Sequence, residues 1–336
     1  MAVLELELAV AQVTDWFIPE DGDEFLVYPG AIKAHGELLT FAKELRKDCA
    51  WRRSQDANPP DDWQTDVGEL SFRVHRQVTV AGTLYILRKV SKDLPVLASL
   101  GIPEEIVQIL SWKRFGEGGG LVVICGSPGH GKSTTCSAVI LERVKAFGYF
   151  ALTVEDPPEF AMQGEYLAKN GTLGQIIQVP AKSDTFASEL RAALRCYPAN
   201  MRGSMLMVGE IRDGEAAAQL LRAALNGQLV FATVHANSAS TALERILAMA
   251  KETMGDEVAQ SLLSASLRAV LHQNLIAGKL SVAPLLSMHS ATPVAAAIKR
   301  GQIPTLSSEL NRQQALLNQK KGALIQALME SVKNGN

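Results

Sequence analysis

Three groups of residues have the types and spacing of a phosphate-handling site. The first is Gly126-Ser127-Pro128-Gly129-His130-Gly131-Lys132-Ser133, followed by Thr134, which fits GxxxxGK[ST]. Phosphate oxygens need backbone N–H donors pointing inward, and glycines let a chain curl tightly enough to present them. In such a loop Lys132 neutralises charge on the β- and γ-phosphates, and Ser133 offers a hydroxyl to Mg²⁺. The other two groups are acidic: Glu155-Asp156-Pro157-Pro158-Glu159 and Gly209-Glu210-Ile211-Arg212-Asp213. A phosphate loop only holds a nucleotide. Breaking a phosphate bond also takes a water-positioning group and support for the metal's water shell. Glu210 is the candidate for polarising the attacking water, and Glu155 for the magnesium side. Glu159 and Asp213 read equally well as solvated loop charges. His235 either senses a γ-phosphate, bonds the acidic cluster, or is a satisfied structural histidine.

Elements must bring these groups together. Short continuous apolar runs at 121–125, 150–154, 205–208 and 229–234 lack the polar alternation of half-exposed strands. Buried parallel strands read this way, and their alternation with helical stretches predicts a doubly wound sheet. The phosphate loop follows the first run and opens a helix. Both acidic groups follow runs directly, and His235 ends the fourth. In a parallel sheet such positions converge on the ligand crevice. A further helix is expected over 185–197, capped by Ser183 or Asp184 and stopped by Pro198. From about 256 the pattern is mostly helical.

The first part of the chain reads as a compact α+β unit. A strand is expected at 25–28, a turn at Pro29-Gly30, and a short helix at 38–46. Residues 50–68, polar and broken by Pro59-Pro60, read as a loop. Strands at 69–80 and 83–90 turn at Ala81-Gly82. Residues 91–103 carry two prolines and read as a linker before a helix at 104–112.

Composition sets limits. The chain has 336 residues, about two domains by length. Its 33 Lys and Arg against 35 Asp and Glu give a formal charge of −2. That balance argues against a strongly electrostatic nucleic-acid binder. Cys49, Cys125, Cys136 and Cys196 form no CxxC pair, so a zinc site is not expected and a reducing compartment is. Cys125 and Cys136, beside the phosphate loop, read as small core residues. The first residues lack a basic n-region and carry Glu5 and Glu7 within their apolar stretch, unlike a signal peptide. Residues 280–298 lack formal charge but contain Pro284 and Pro293, which speaks against a membrane span.

Four ordered segments resemble the secretion-superfamily ATPases of the PilT, GspE and DotB type. GSPGHGKSTT resembles their Walker A box and LTVEDPPEF their aspartate box. LMVGEIRDGEAA resembles their atypical Walker B box, and GQLVFATVHANSAS their histidine box. Residues 66–103 and 266–302 are also similar. The resemblance implies an N-terminal PAS-like α+β domain (1–94), a linker at about 91–103, and a RecA-like P-loop α/β core with a helical C-terminal region (95–336). It implies ATP and Mg²⁺ as cofactors and a cytoplasmic homo-hexamer at the inner face of the inner membrane, docked on a platform protein. Such a motor would drive a type IV pilus, by assembly or retraction, or type IV secretion or conjugation. By motif match Lys132 and Ser133 are phosphate and Mg²⁺ ligands, Glu155 the aspartate-box carboxylate, Glu210 the catalytic glutamate, and His235 the second histidine-box histidine. Arg73, Arg76 and Arg88 are the candidate arginine contacts in the N-terminal strands.

The sequence departs from the family at several points. Gln228 replaces the first histidine of its box, Thr79-Val80-Ala81 replaces an arginine region, and Pro158 stands where a branched apolar residue is common. The tetracysteine zinc insert is lacking, which favours the compact branch. Gln228 and the altered arginines motivate an alternative reading, a nucleotide-gated scaffold with little turnover. A nucleic-acid translocase is another alternative, and the balanced charge counts against it. A small-molecule kinase would leave the histidine box unexplained.

Overall fold

The computed structural model describes residues 10, 12–57, 59–90, 94–181, 185–198, 203–319 and 322–334. The chain divides into two compact units, Met1–Lys92 and Asp93–Asn336.

The smaller unit is one antiparallel sheet covered on one face by a helix. Its strands are β1 (Asp15–Pro19), β2 (Leu26–Tyr28), β3 (Ile32–Lys33), β4 (Asp62–Val67), β5 (Leu70–Thr79) and β6 (Gly82–Val90), in the order β3-β2-β1-β6-β5-β4. The helix is α1 (Gly36–Ser54). Trp16, Ile18, Phe72, Val74 and Leu87 alternate onto the covered face. There they meet Phe41, Ala42, Leu45 and Cys49 of the helix. Trp16 and Phe41 stack edge to face with centroids 5.3 Å apart.

Two expectations fail in this unit. The helix expected over 38–46 runs from Gly36 to Ser54, and the loop expected over 50–68 contains β4. The strand was hidden because it lies at the sheet edge. Its sequence, DWQTDV, turns Trp63, Thr65 and Val67 toward the helix side, and the residues between them are polar and exposed. Pro59 and Pro60 interrupt only the connection between helix and strand.

The larger unit is built on an eight-stranded sheet. Its strands are β7 (Gly120–Cys125), β8 (Phe150–Glu155), β9 (Gly164–Leu167), β10 (Leu173–Pro180), β11 (Met205–Val208), β12 (Leu229–Val234), β13 (Leu267–Ile276) and β14 (Lys279–Leu286). Their order is β14-β13-β7-β12-β11-β8-β10-β9. All neighbours pair in parallel except the two edge strands, β14 and β9. Both faces are covered, which explains the unbroken apolar runs. Leu121, Val123 and Cys125 face one helical layer, which includes α4 (Phe186–Ala193), α5 (Gly214–Leu225), α6 (Ala239–Met254), α7 (Asp256–Ser266) and α8 (Pro293–Lys299). Val122 and Ile124 face the other, which includes α2 (Glu104–Ser111), α3 (Lys132–Phe147), α9 (Ser307–Gln319) and α10 (Ala323–Asn334). Every side chain from Leu121 to Cys125 is fully buried, and each of the larger ones contributes about 1.5–3 kcal/mol by leaving water.

Here too the structure corrects the sequence. The region from 256 is helical over more than half its length, but it is interrupted after α7 by the β13–β14 hairpin, which joins the sheet beside β7. Leu267, Ala269, Val270 and Leu271 are all buried, so no alternation marks the strand. The turn was signalled by Ala277-Gly278, whose positive φ angles of 49° and 74° suit a two-residue hairpin. Strands β9 and β10 were also unforeseen. The expected helix over 185–197 is α4 followed by a 3₁₀ turn at Leu194–Cys196. The proposed caps Ser183 and Asp184 lie outside the described residues. Among the described residues no helix is long and apolar enough to cross a membrane.

Candidate active site

Four adjacent parallel strands, β7, β12, β11 and β8, end at the same rim of the sheet. Each delivers one of the chemically interesting groups there. Cys125 pairs with Val234, and Val208 pairs with both Ala232 and Val154. The phosphate loop, His235, Glu210 and Glu155 are therefore neighbours by register.

The loop from Gly126 to Gly131 joins β7 to α3. Gly126 has φ 155°, and a Cβ there would collide with the carbonyl of Gln273 on β13. Gly131 caps α3 in the left-handed conformation, φ 75°. Glycine suits both positions because it lacks a Cβ. Gly129 is also left-handed, and Pro128 beside it is exposed. The His130 ring Nδ1 lies 3.2 Å from the Gln273 carbonyl. Gln273, wholly buried, also donates to Thr135 Oγ1 at 2.8 Å. The hairpin strand that the sequence hid thus braces the loop. Ser133 and Thr134 lie in the first turn of α3, whose N-terminal N–H groups open toward the loop.

Lys132 is buried and held from two sides. Its Nζ donates to the Ser127 carbonyl at 2.9 Å and to His235 Nδ1 at 3.2 Å. Burial lowers its pKa below the ordinary lysine value, and the Glu210 and Glu159 carboxylates oppose that shift. An ammonium can only donate, so His235 Nδ1 accepts and the ring proton sits on Nε2. That nitrogen lies 3.3 Å from Glu210 Oε1. Lys132, His235 and Glu210 form one continuous chain of polar contacts. His235 thus lies in contact with the acidic cluster.

Glu210 is positioned by the backbone before it. Gly209 N–H donates to the Val154 carbonyl at 2.9 Å, and the Thr233 hydroxyl donates to the Gly209 carbonyl. A Cβ at Gly209 would lie 3.2 Å from the Cα of Glu155. A glycine before the glutamate therefore lets the two acidic strand ends approach closely.

Glu155 is 3% exposed. Burial raises its pKa above the ordinary carboxylate value, opposed by the nearby polar side chains of Thr153 and Gln178. A desolvated carboxylate of this kind is well matched to a nearby cation. Glu159 belongs to the site, since the Ser133 hydroxyl donates to its Oε1 at 3.1 Å. Asp213 instead caps α5, accepting the Ala216 N–H at 2.7 Å. Arg212 and Gln178, given no role from sequence, both contact the acidic residues: Arg212 bonds Glu210 and Asp156, and Gln178 lies 3.4 Å from Glu155.

Gln228 belongs to the larger unit and the three candidate arginines to the smaller one. Gln228 precedes β12 at the opposite rim, where its carbonyl accepts the Gly120 N–H at 3.1 Å. A six-residue strand separates it from His235 by roughly 20 Å. Arg73 and Arg88 are direct cross-strand partners on the sheet face away from α1. Arg76 lies on the other face, 3.3 Å from Asp61 and 3.9 Å from Glu20, so the three arginines do not share one surface.

Residues 54–296 match the family described as Type II/IV secretion system protein, and the chain belongs to that family. It is 42% identical over 158 residues to Type II secretion system protein E of Klebsiella pneumoniae, covering 47% of this chain and 27% of that protein. It is 31% identical over 233 residues to the type IV pilus ATPase PilU of Pseudomonas aeruginosa, covering 68% and 56%. This chain thus spans between about a quarter and somewhat over half of those two relatives. Its fold is similar to that of the pilus retraction motor PilT, crystallised with bound ADP. The TM-score is 0.69 at 24% identity, over 94% of this chain and 92% of that one. The larger unit is a RecA-like P-loop core.

Proposed function

We propose that the chain is a Mg²⁺-dependent ATPase, the motor of a type IV pilus or of a type IV secretion or conjugation machine. The observation that carries this reading is the contact chain Lys132–His235–Glu210 at the mouth of the phosphate loop. It places a phosphate-binding cation and a carboxylate base on one histidine. The loop N–H groups, the α3 N-terminus and Lys132 bind the triphosphate. Glu210 accepts a hydrogen bond from a water and takes its proton as the water oxygen attacks the γ-phosphorus. The bond from that phosphorus to the β–γ bridging oxygen breaks, leaving ADP and inorganic phosphate.

The donors beside the loop fit magnesium. They are hard oxygens: the Ser133 hydroxyl and the carboxylates of Glu155 and Glu159. Among the described residues no group of three or more His, Cys, Asp and Glu could hold a metal. Magnesium prefers such a setting, with phosphates and water completing its shell. Bound there, it would neutralise charge on the phosphates.

We assign the working form to a homo-hexamer in the cytoplasm, acting through a platform protein in the inner membrane and not through nucleic acid. The family membership and the similarity to pilus motors support this. The scaffold reading loses its first motive, since Gln228 lies at the rim away from the phosphate loop. The test is phosphate release from ATP by the purified chain with magnesium. Wild type should turn over, and Lys132→Ala should lose both nucleotide binding and turnover. ATP binding without phosphate release would favour the scaffold.

A further inference from the structure

Arg212 lies between the two acidic loops. Its Nε donates to Glu210 Oε2 at 2.9 Å, and one terminal nitrogen donates to Asp156 Oδ2 at 2.6 Å. The other oxygen of Glu210, Oε1, is the one 3.3 Å from His235 Nε2. The Glu210 carboxylate is therefore gripped at both oxygens. One hold comes from the end of β12 through His235. The other comes from the end of β8 through Asp156 and Arg212. Each carboxylate oxygen has two lone pairs, so each keeps one for water. A guanidinium is planar and fixes direction as well as charge, which an ammonium does not.

We propose that Arg212 is the positioning residue of Glu210. It ties the two acidic loops together and sets the direction in which the Glu210 carboxylate meets water. The inference rests on the ATPase reading above. A purely structural role fits the geometry less well. Arg212, Asp156 and Glu210 keep 41%, 21% and 23% of their side-chain surfaces exposed, and ion pairs this open to water add little stability. Losing the fork should leave the fold intact and misdirect the carboxylate.

The test uses the full chain and four variants. Arg212→Lys keeps the charge but loses the fork, Arg212→Gln loses both, and Asp156→Asn loosens the far anchor. The fourth is Arg212→Gln combined with Glu210→Gln. Turnover should fall by up to about 100-fold in Arg212→Gln, the cost of a small misplacement of a reacting group. Affinity for a fluorescent ATP analogue should stay unchanged. Arg212→Lys should recover only part of the rate, and Asp156→Asn should be impaired less than Arg212→Gln. In the Glu210→Gln background, Arg212→Gln should have no further effect. A further loss there, or weakened analogue binding, would mean that the guanidinium acts on phosphate directly and would overturn the proposal. So would an undiminished rate in Arg212→Gln.

A second readout does not need turnover. The His235 ring nitrogens, followed by NMR, should shift in Arg212→Gln because their Glu210 partner moves. Unshifted resonances would overturn the grip on Glu210. If wild type fails to hydrolyse ATP while the shift is present, the ATPase reading fails and the grip stands.

Discussion

Glu210 illustrates how little freedom the proposed base has in this fold. Its backbone is pinned to β8 and β12, and both its oxygens have partners. Gly209 is the critical neighbour. Gly209→Ala would place a methyl group 3.2 Å from the Cα of Glu155 and 3.4 Å from its side chain. Backbone cannot yield there cheaply. The variant should lose about 1–3 kcal/mol of stability by overpacking, and turnover should fall with it. Denaturant unfolding and phosphate release check this together. If both match wild type, the strand ends have more slack than their packing indicates.

At the scale of elements, the order of site loops was legible in sequence because parallel strands buried on both faces leave uninterrupted apolar runs. The runs ending at Cys125, Val154, Val208 and Val234 named the strands, and the residues after them named the site. Two kinds of element were not legible. Strand β4 is polar because it is an edge. In strand β13 the apolar residues Leu267, Ala269, Val270 and Leu271 are all buried, and that run does not separate it from a buried helix. What each acidic residue does was equally hidden. Glu159 and Asp213 look alike in sequence, yet one bonds Ser133 and the other caps α5.

Strand β4 also carries a titratable link. His75 on β5 lies 2.8 Å from Asp62 on β4. That hydrogen bond raises the histidine pKa above its ordinary value, against the effect of burial. A histidine with a raised folded pKa adds stability that is fully present below its unfolded value. That stability is lost as pH rises through the folded value. Thermal unfolding across the histidine range should therefore show the smaller unit losing stability as pH rises. The slope should shrink in His75→Gln. An identical slope in the variant would mean that Asp62 does not hold the imidazolium.

At the scale of the whole molecule, the formal charge of −2 now has a physical reading. The cations that matter are placed singly: Lys132 in the loop and Arg212 on the carboxylates. Each is engaged within the site, Lys132 with Ser127 and His235, Arg212 with Glu210 and Asp156. The central claim is that binding and hydrolysis are separate tasks of separate residues, with Lys132 holding phosphate and Glu210 activating water. The most direct test compares ATP affinity and single-turnover phosphate release in wild type and Glu210→Gln, with magnesium present. The account predicts that Glu210→Gln binds ATP as wild type does and releases phosphate at least about 100-fold more slowly, the scale of a lost general base. Phosphate release at the wild-type rate in Glu210→Gln would contradict it.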